Sequence, residues 1–157
     1  MSRLIRPFHY PHVWFQDSIR SSGGLALLWK DGLNCDIVFQ SRHMVHLLVS
    51  GPSLSSEWLL TCMYGSSIKD EKLAQWSFLK DLSTVVDLPW AIIGDLNFIF
   101  SLSEKDGGRS FISFDVKFIH DLISEAGLSD FHSHGPSFTW SNHRHGLLIF
   151  ERKLIGS

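Results

Sequence analysis

The stretch that most constrains the fold is "PWAIIGDLNFIF", in which an apolar run from Trp90 to Ile93 is stopped by Gly94 and followed by Asp95 and Asn97. A run of strand length that is apolar at every position needs cover on both faces of its sheet. That requirement points to a layered domain with this strand inside it. Beyond the apolar part stand two polar groups two residues apart. In extended backbone, residues i and i+2 point to the same side. Asp95 and Asn97 would then face one pocket at the C-terminal end of a buried strand. Asp and Asn also favour turns, so a strand closed by an ordinary turn is the alternative.

On either side of this strand the hydrophobic period changes. Upstream, "GGLALLW", "NCDIVF", "MVHLLVS" and "EWLLTCMYG" read as four short strands, and Asp31-Gly32 is a hairpin signal between the first two. Their spacing predicts an antiparallel meander. "DEKLAQWSFLKDLSTVV" then places Leu73, Trp76, Leu79 and Leu82 at helical spacing, with Asp70 available as a cap. A second helix is expected from Phe114 to Ala126, with Val116, Phe118, Ile119, Leu122 and Ile123 on its apolar face and Gly127 closing it. "SFTWSN" and "LLIFER" read as two further strands. Strands and helices in this order define an α/β (α+β) layered domain. Residues 1–21 show no clean period and read as an irregular N-terminal segment; the domain proper is expected over 22–157.

Length and charge narrow the function classes. The chain has 157 residues, enough for one domain with a buried core, and at 44% hydrophobic and 19% charged it is not of disordered composition. A formal net charge of −2 excludes a histone-like or basic-arm binder, though not a nuclease, whose metal pocket is itself acidic. Cys35 and Cys62 lie in apolar contexts and read as reduced core thiols. The N-terminus lacks the continuous apolar region of a secretory signal, and no run approaches the ~20 apolar residues that cross a bilayer. No membrane partner is expected, and the chain reads as intracellular.

The block "WAIIGDLNFIFSLSEKDGGR" resembles a segment of the endonuclease/exonuclease/phosphatase superfamily, and more narrowly of the endonuclease domains of plant LINE-type (non-LTR) retrotransposons. Those domains carry a "W-x-x-x-GDFN" strand followed by an "EK-x-GG" loop. The resemblance extends through "SGGLALLWKDGLN", "MYG", "FIHDLISEAGLSDF" and "GPSFTWSN", and so covers residues 22 to 152. It implies a four-layer α/β/β/α sandwich and divalent-metal-dependent hydrolysis of DNA phosphodiesters, usually with Mg²⁺. By the same resemblance Asp95 would bind metal and orient or deprotonate the attacking water, and Asn97 would hold the scissile phosphate. Tyr64 would place its hydroxyl near that phosphate, and Thr139 and Asn142 of the "FTWSN" strand would line the DNA-facing rim. A parent enzyme of this type meets chromosomal DNA in the nucleus.

Departures from the pattern bear on activity. The family's metal-site Asn and its metal-binding Glu precede the "SGG" strand, whereas residues 1–21 here contain neither Asn nor Glu. Its late "ERLDR" appears as "ERKLIGS", with Leu154 where an aspartate is expected, and its Ser-Asp-His strand has no counterpart here. The expectation is a domain incomplete at both ends, with impaired catalysis. Two competing functions stand beside it: a non-catalytic remnant that binds nucleic acid or a protein, and a phosphatase acting on a small substrate.

Other residues are less specific. Lys105 and Arg109 could meet DNA phosphates or simply lie in a solvated loop. His132 and His134, with His143 and His145, form two H-x-H pairs that suggest either zinc or exposed loop histidines. Trp29, Trp76, Trp90 and Trp140 are expected in the core, with stacking on extruded bases the alternative. Trp14 and Trp58 favour neither.

Overall fold

The computed structural model describes residues 9–18, 24–97, 113–130 and 148–152. Its elements are β1 (His12–Gln16), β2 (Leu25–Trp29), β3 (Asn34–Gln40), β4 (Met44–Ser50), β5 (Trp58–Tyr64), α1 (Lys69–Ser83), β6 (Trp90–Asp95), α2 (Ser113–Glu125), β7 (Ser129–Asp130) and β8 (Leu148–Arg152). They build a six-stranded sheet in the order β3-β4-β5-β6-β8-β7 and a separate two-stranded sheet, β1-β2.

The β6 strand takes the inner place its composition demands. It pairs in parallel with β5 and antiparallel with β8. Trp90 and Ile92 are fully buried on one face, among Leu59 and Met63 of β5, Trp76 and Leu79 of α1, and Ile119, Leu122 and Ile123 of α2. On the other face Ile93 packs with Val45, Leu47 and Cys62, against Trp14, Leu25 and Leu27 of the smaller sheet. Helices thus cover one side of the large sheet and the two-stranded sheet covers the other. Three layers of an α/β/β/α arrangement are present among the described residues.

The expected four-stranded meander is corrected. Strands β3, β4 and β5 do form one, but β2 belongs to the other sheet and pairs with β1. Asp31-Gly32 therefore carries the chain between sheets instead of closing a hairpin. Turn chemistry specifies a local reversal; it does not say which strand the reversed chain will pair with. His12–Gln16 likewise corrects the irregular reading of the N-terminal segment. "HVWFQ" carries apolar residues on both faces, with Trp14 half-buried and Val13 and Phe15 exposed, so no period of two is visible.

Both helices form close to their expected bounds. Ile68 occupies the N-cap of α1 with no side-chain cap, so Asp70 lies inside the first turn beside Glu71, where both complement the helix dipole instead of capping. Helix α2 closes in a Schellman pattern: the Leu128 amide donates to Ile123 carbonyl at 3.0 Å and the Gly127 amide to Ser124 carbonyl at 2.9 Å. Phe118 of α2 is 38% exposed and does not join the core face assigned to it; Ile119, Leu122 and Ile123 do. "SFTWSN" lies outside the described residues. Among the described residues no helix is long and apolar enough to cross a membrane.

Trp76 and Trp90 are core residues as expected, but Trp29 is only half-buried and stacks on His12 with ring centroids 5.5 Å apart. Trp140 lies outside the described residues. Cys35 and Cys62 are both free thiols, and burial pushes the Cys62 thiol up to about 12.

Candidate active site at the end of the central strand

Strand β6 ends at Asp95, one step past the apolar row on the face turned to the smaller sheet. The register pairs Tyr64 with Asp95, as it pairs Cys62 with Ile93. Ladder partners project to the same face, so Tyr64 and Asp95 extend the inter-sheet row at its C-terminal end. Both are half-buried, at the border between the core and solvent.

Asn97 arrives by a different route from the one extended backbone would dictate. Its φ is +49°, a left-handed conformation that Asn tolerates better than most residues. The Asn97 amide donates to Asp95 Oδ1 at 3.1 Å, the hydrogen bond of an Asx turn. Its side-chain Nδ2 donates to the Gly65 carbonyl at 2.7 Å, while the Gly65 amide donates to the Asp95 carbonyl at 2.7 Å. Asp95 and Asn97 are brought together by a turn, and the alternation argument that linked them is corrected. Between them Leu96 is fully buried and anchors the turn in the helix-side core.

This turn needs glycine at Gly65, where a Cβ would lie 2.1 Å from the Leu96 carbonyl oxygen. The same close approach puts the Gly65 carbonyl within reach of Asn97. Asn97→Ala is expected to lower stability by about 1–2 kcal/mol, from the lost side-chain bond and the strained φ. Asn97→Gly loses the bond but not the conformational fit. In urea unfolding it should therefore fall about 1 kcal/mol short of the Ala variant's loss; equal losses would contradict a contribution from backbone strain.

Helix α1 supplies a second group of polar residues that sequence reasoning missed. Lys72 Nζ donates to the Asn97 carbonyl at 2.6 Å, which sets a cation beside the turn. Gln75 accepts from the Ser66 amide at 2.9 Å and donates to the Tyr64 carbonyl at 3.4 Å, tying the end of β5 to the helix. The Ser66 hydroxyl donates to Glu71 at 2.7 Å and accepts from the Ile68 amide at 3.0 Å. The available signal was the spacing of Lys72 and Gln75, three apart on one helix side. Nothing local says that this side meets the strand ends.

Lys105, Arg109, Thr139 and Asn142, and the four histidines from His132 to His145, lie outside the described residues. Among the described residues no three His, Cys, Asp or Glu side chains come together. For a divalent cation the described site offers one carboxylate, Asp95, whose Oδ1 already accepts the Asn97 amide. Mg²⁺ is held by oxygen ligands around an octahedron, commonly one or two carboxylates plus water and phosphate. With a lysine ammonium on the Asn97 carbonyl, this donor set does not by itself make a magnesium site.

Two facing sheets, helices over the outer face of the larger one, and a polar turn where the central strand meets solvent make this a layered α/β fold. No family model matches the chain. No curated protein matches it either. Among solved structures it is similar to the endonuclease domain of TRAS1, a telomere-specific non-LTR retrotransposon. There the TM-score is 0.60 at 11% identity, over 90% of this chain and 67% of that one. The human Nocturnin catalytic domain gives 0.55 at 13% identity, over 98% of this chain and 64% of the other. TDP2 from Caenorhabditis elegans gives 0.52 at 12% identity, over 97% and 51%. The chain thus spans about two-thirds of the first two and about half of the third. Identities this low establish the fold.

Proposed function

We propose that this chain is a DNA endonuclease-like domain of the metal-dependent phosphodiester-hydrolysing type, of retrotransposon origin, with impaired catalysis. The observation that carries the proposal is the Asp95–Asn97 turn beside Tyr64, at the C-terminal end of the central strand, in a fold shared with a retrotransposon endonuclease domain. Asp95 Oδ1 is committed to the Asn97 amide, which leaves the other carboxylate oxygen to orient a water and take its proton. Asn97 Nδ2 has two N–H groups and spends one on Gly65, so one is left for a phosphoryl oxygen. The Tyr64 hydroxyl adds a donor from the neighbouring strand, and Lys72 adds positive charge where phosphate charge would accumulate.

The impaired reading rests on the departures from the family pattern, with neither Asn nor Glu in residues 1–21 and Leu154 where an aspartate is expected. The Mg²⁺ that the family resemblance implies would need further oxygen ligands, and it would supply charge neutralisation at the phosphate. The DNA rim would come from Thr139, Asn142, Lys105 and Arg109.

The test is Mg²⁺-dependent nicking of supercoiled plasmid by the purified chain, beside Asp95→Ala and Asp95→Asn. Little or no nicking above the Asp95→Ala background is expected. Robust nicking that disappears in both variants would overturn the impairment and leave the site standing. Duplex binding by fluorescence anisotropy tests the rest: affinity that weakens as salt rises is expected. No affinity for DNA would refute the DNA-directed part of the proposal. A second reading, a non-catalytic remnant, is favoured by the same internal use of Asn97 and predicts duplex binding with no nicking in any divalent metal.

A further inference from the structure

At the other end of the large sheet, on its helix side, β3, β4 and β5 diverge from the C-terminal half of α1 and leave a cavity of about 550 Å³. That volume is within the range of about 300–1,000 Å³ typical of small-molecule sites. Leu48, Leu59, Phe78, Leu82 and Val86 make most of its wall, and His46 is the buried polar residue in it.

A chain of hydrogen bonds assigns the His46 tautomer. The Trp90 indole N–H can only donate, and does so to Thr61 Oγ1 at 2.8 Å; Thr61 has one further side-chain partner among the described residues to take its hydroxyl proton. That partner is His46 Nδ1, 2.6 Å away. Nδ1 is then the acceptor and Nε2 carries the proton. His46 is 2% exposed, and Nε2 is buried with no hydrogen-bond partner among the described residues. Burial holds the imidazole down to about 4, so the ring is neutral at physiological pH. A buried N–H left unpaired is costly, a cost that an occupant would relieve.

We propose that this cavity binds a small, neutral, largely apolar molecule bearing one carbonyl oxygen, which accepts a hydrogen bond from His46 Nε2. The aliphatic and aromatic wall selects an apolar body. The solitary N–H selects one acceptor, and Asp87 at the border disfavours an anion. Phe39 and Phe78 also line the cavity, with rings 5.4 Å apart that lie 5.0 and 5.9 Å from the imidazole. They are 39% and 38% exposed, and rings at such positions change rotamer readily, the movement by which the proposed occupant would reach Nε2. The site stands apart from Asp95: Leu59 and Tyr64 mark opposite ends of β5, about 16 Å apart at strand rise.

The test uses two probes of matched shape, acetophenone and ethylbenzene, titrated into the intact chain and followed by ¹H–¹⁵N correlation spectra. Acetophenone is expected to bind about tenfold more tightly, the worth of one hydrogen bond. It should also shift the His46 Nε2–H resonance. Val38→Trp, on the exposed edge strand where Val38 borders the cavity, should weaken both probes without altering the core. His46→Phe should abolish the preference between them. Equal affinities in the unaltered chain would overturn the proposal. So would resonance changes that spare the lining residues, or binding unaffected by Val38→Trp. Plasmid nicking is read separately and does not depend on the outcome.

Discussion

Gly94→Ala is expected to unfold the protein or leave it insoluble, although a single methyl group is all that is added. Gly94 has φ +149°, and a Cβ there would lie 1.8 Å from the carbonyl oxygen of Met63. The atom met is backbone, in the neighbouring strand of the same parallel ladder, and Met63 is itself fully buried. Neither strand can retreat without opening the core on both faces of the sheet. A clash of this kind belongs with overpacking and backbone strain, at about 3 kcal/mol or more. That is a large part of the roughly 5–15 kcal/mol that holds a domain folded. The control is Gly32→Ala, where φ is +90° but nothing lies within 4 Å of the added Cβ. It should cost only about 1 kcal/mol. Urea unfolding of both variants decides the matter: a Gly94→Ala midpoint close to that of Gly32→Ala would contradict the close approach of β5 and β6.

Acid should weaken the fold through His46 as pH falls below about 6.5. Its imidazole is held down to about 4 by burial, from an ordinary value of 6.5. Between those values the unfolded chain binds a proton that the folded chain refuses, so stability falls as pH falls through this window. Above it the group contributes no pH dependence. The arithmetic gives a loss of about 2 kcal/mol on going from about pH 7 to about pH 5, and about 3 kcal/mol once pH is below the folded value. Charging the ring would also reverse its role towards Thr61, whose hydroxyl now donates to Nδ1. His46→Phe should be less stable at neutral pH, because Thr61 loses its acceptor. Its urea midpoint should nevertheless change less between pH 7 and pH 5 than that of the parent. Parallel decline in the two proteins would assign the acid sensitivity to another group.

Much of the architecture could be read before any coordinates. The uninterrupted apolar run of β6 required two covered faces, and it has them. The three-residue spacing of Trp76 and Leu79, and the run from Ile119 to Ile123 closed by Gly127, predicted both helices, the second to within a residue at each end and the first with its stretch running on to Val86, past the end at Ser83. Assignments that depended on pairing fared worse. "LALLW" looks the same whether its neighbour is β3 or β1, and the DG turn after it says only that the chain turns. "HVWFQ" shows no alternation because Val13 and Phe15 face outward without becoming polar.

For the candidate site, sequence marked Asp95, Asn97 and Tyr64 but linked the first two by the wrong geometry. What joins them is an Asx turn with Asn97 left-handed, made possible by Gly65, which is distant in sequence. Lys72 and Gln75 were ordinary helix-surface residues until the end of α1 met the ends of β5 and β6.

By itself, then, the sequence determined what local forces can encode: the two helices, most of the strands, and which strand must be buried. Hydrophobic periodicity and backbone preference act over a few residues and are written in adjacent letters. Only the tertiary structure decided which strands pair, which helix face meets the strand ends, and that His46 keeps a buried proton with no partner among the described residues. Those outcomes depend on contacts between residues 15 to 32 positions apart, as in His46 with Thr61 and Asn97 with Gly65, where no local preference reaches.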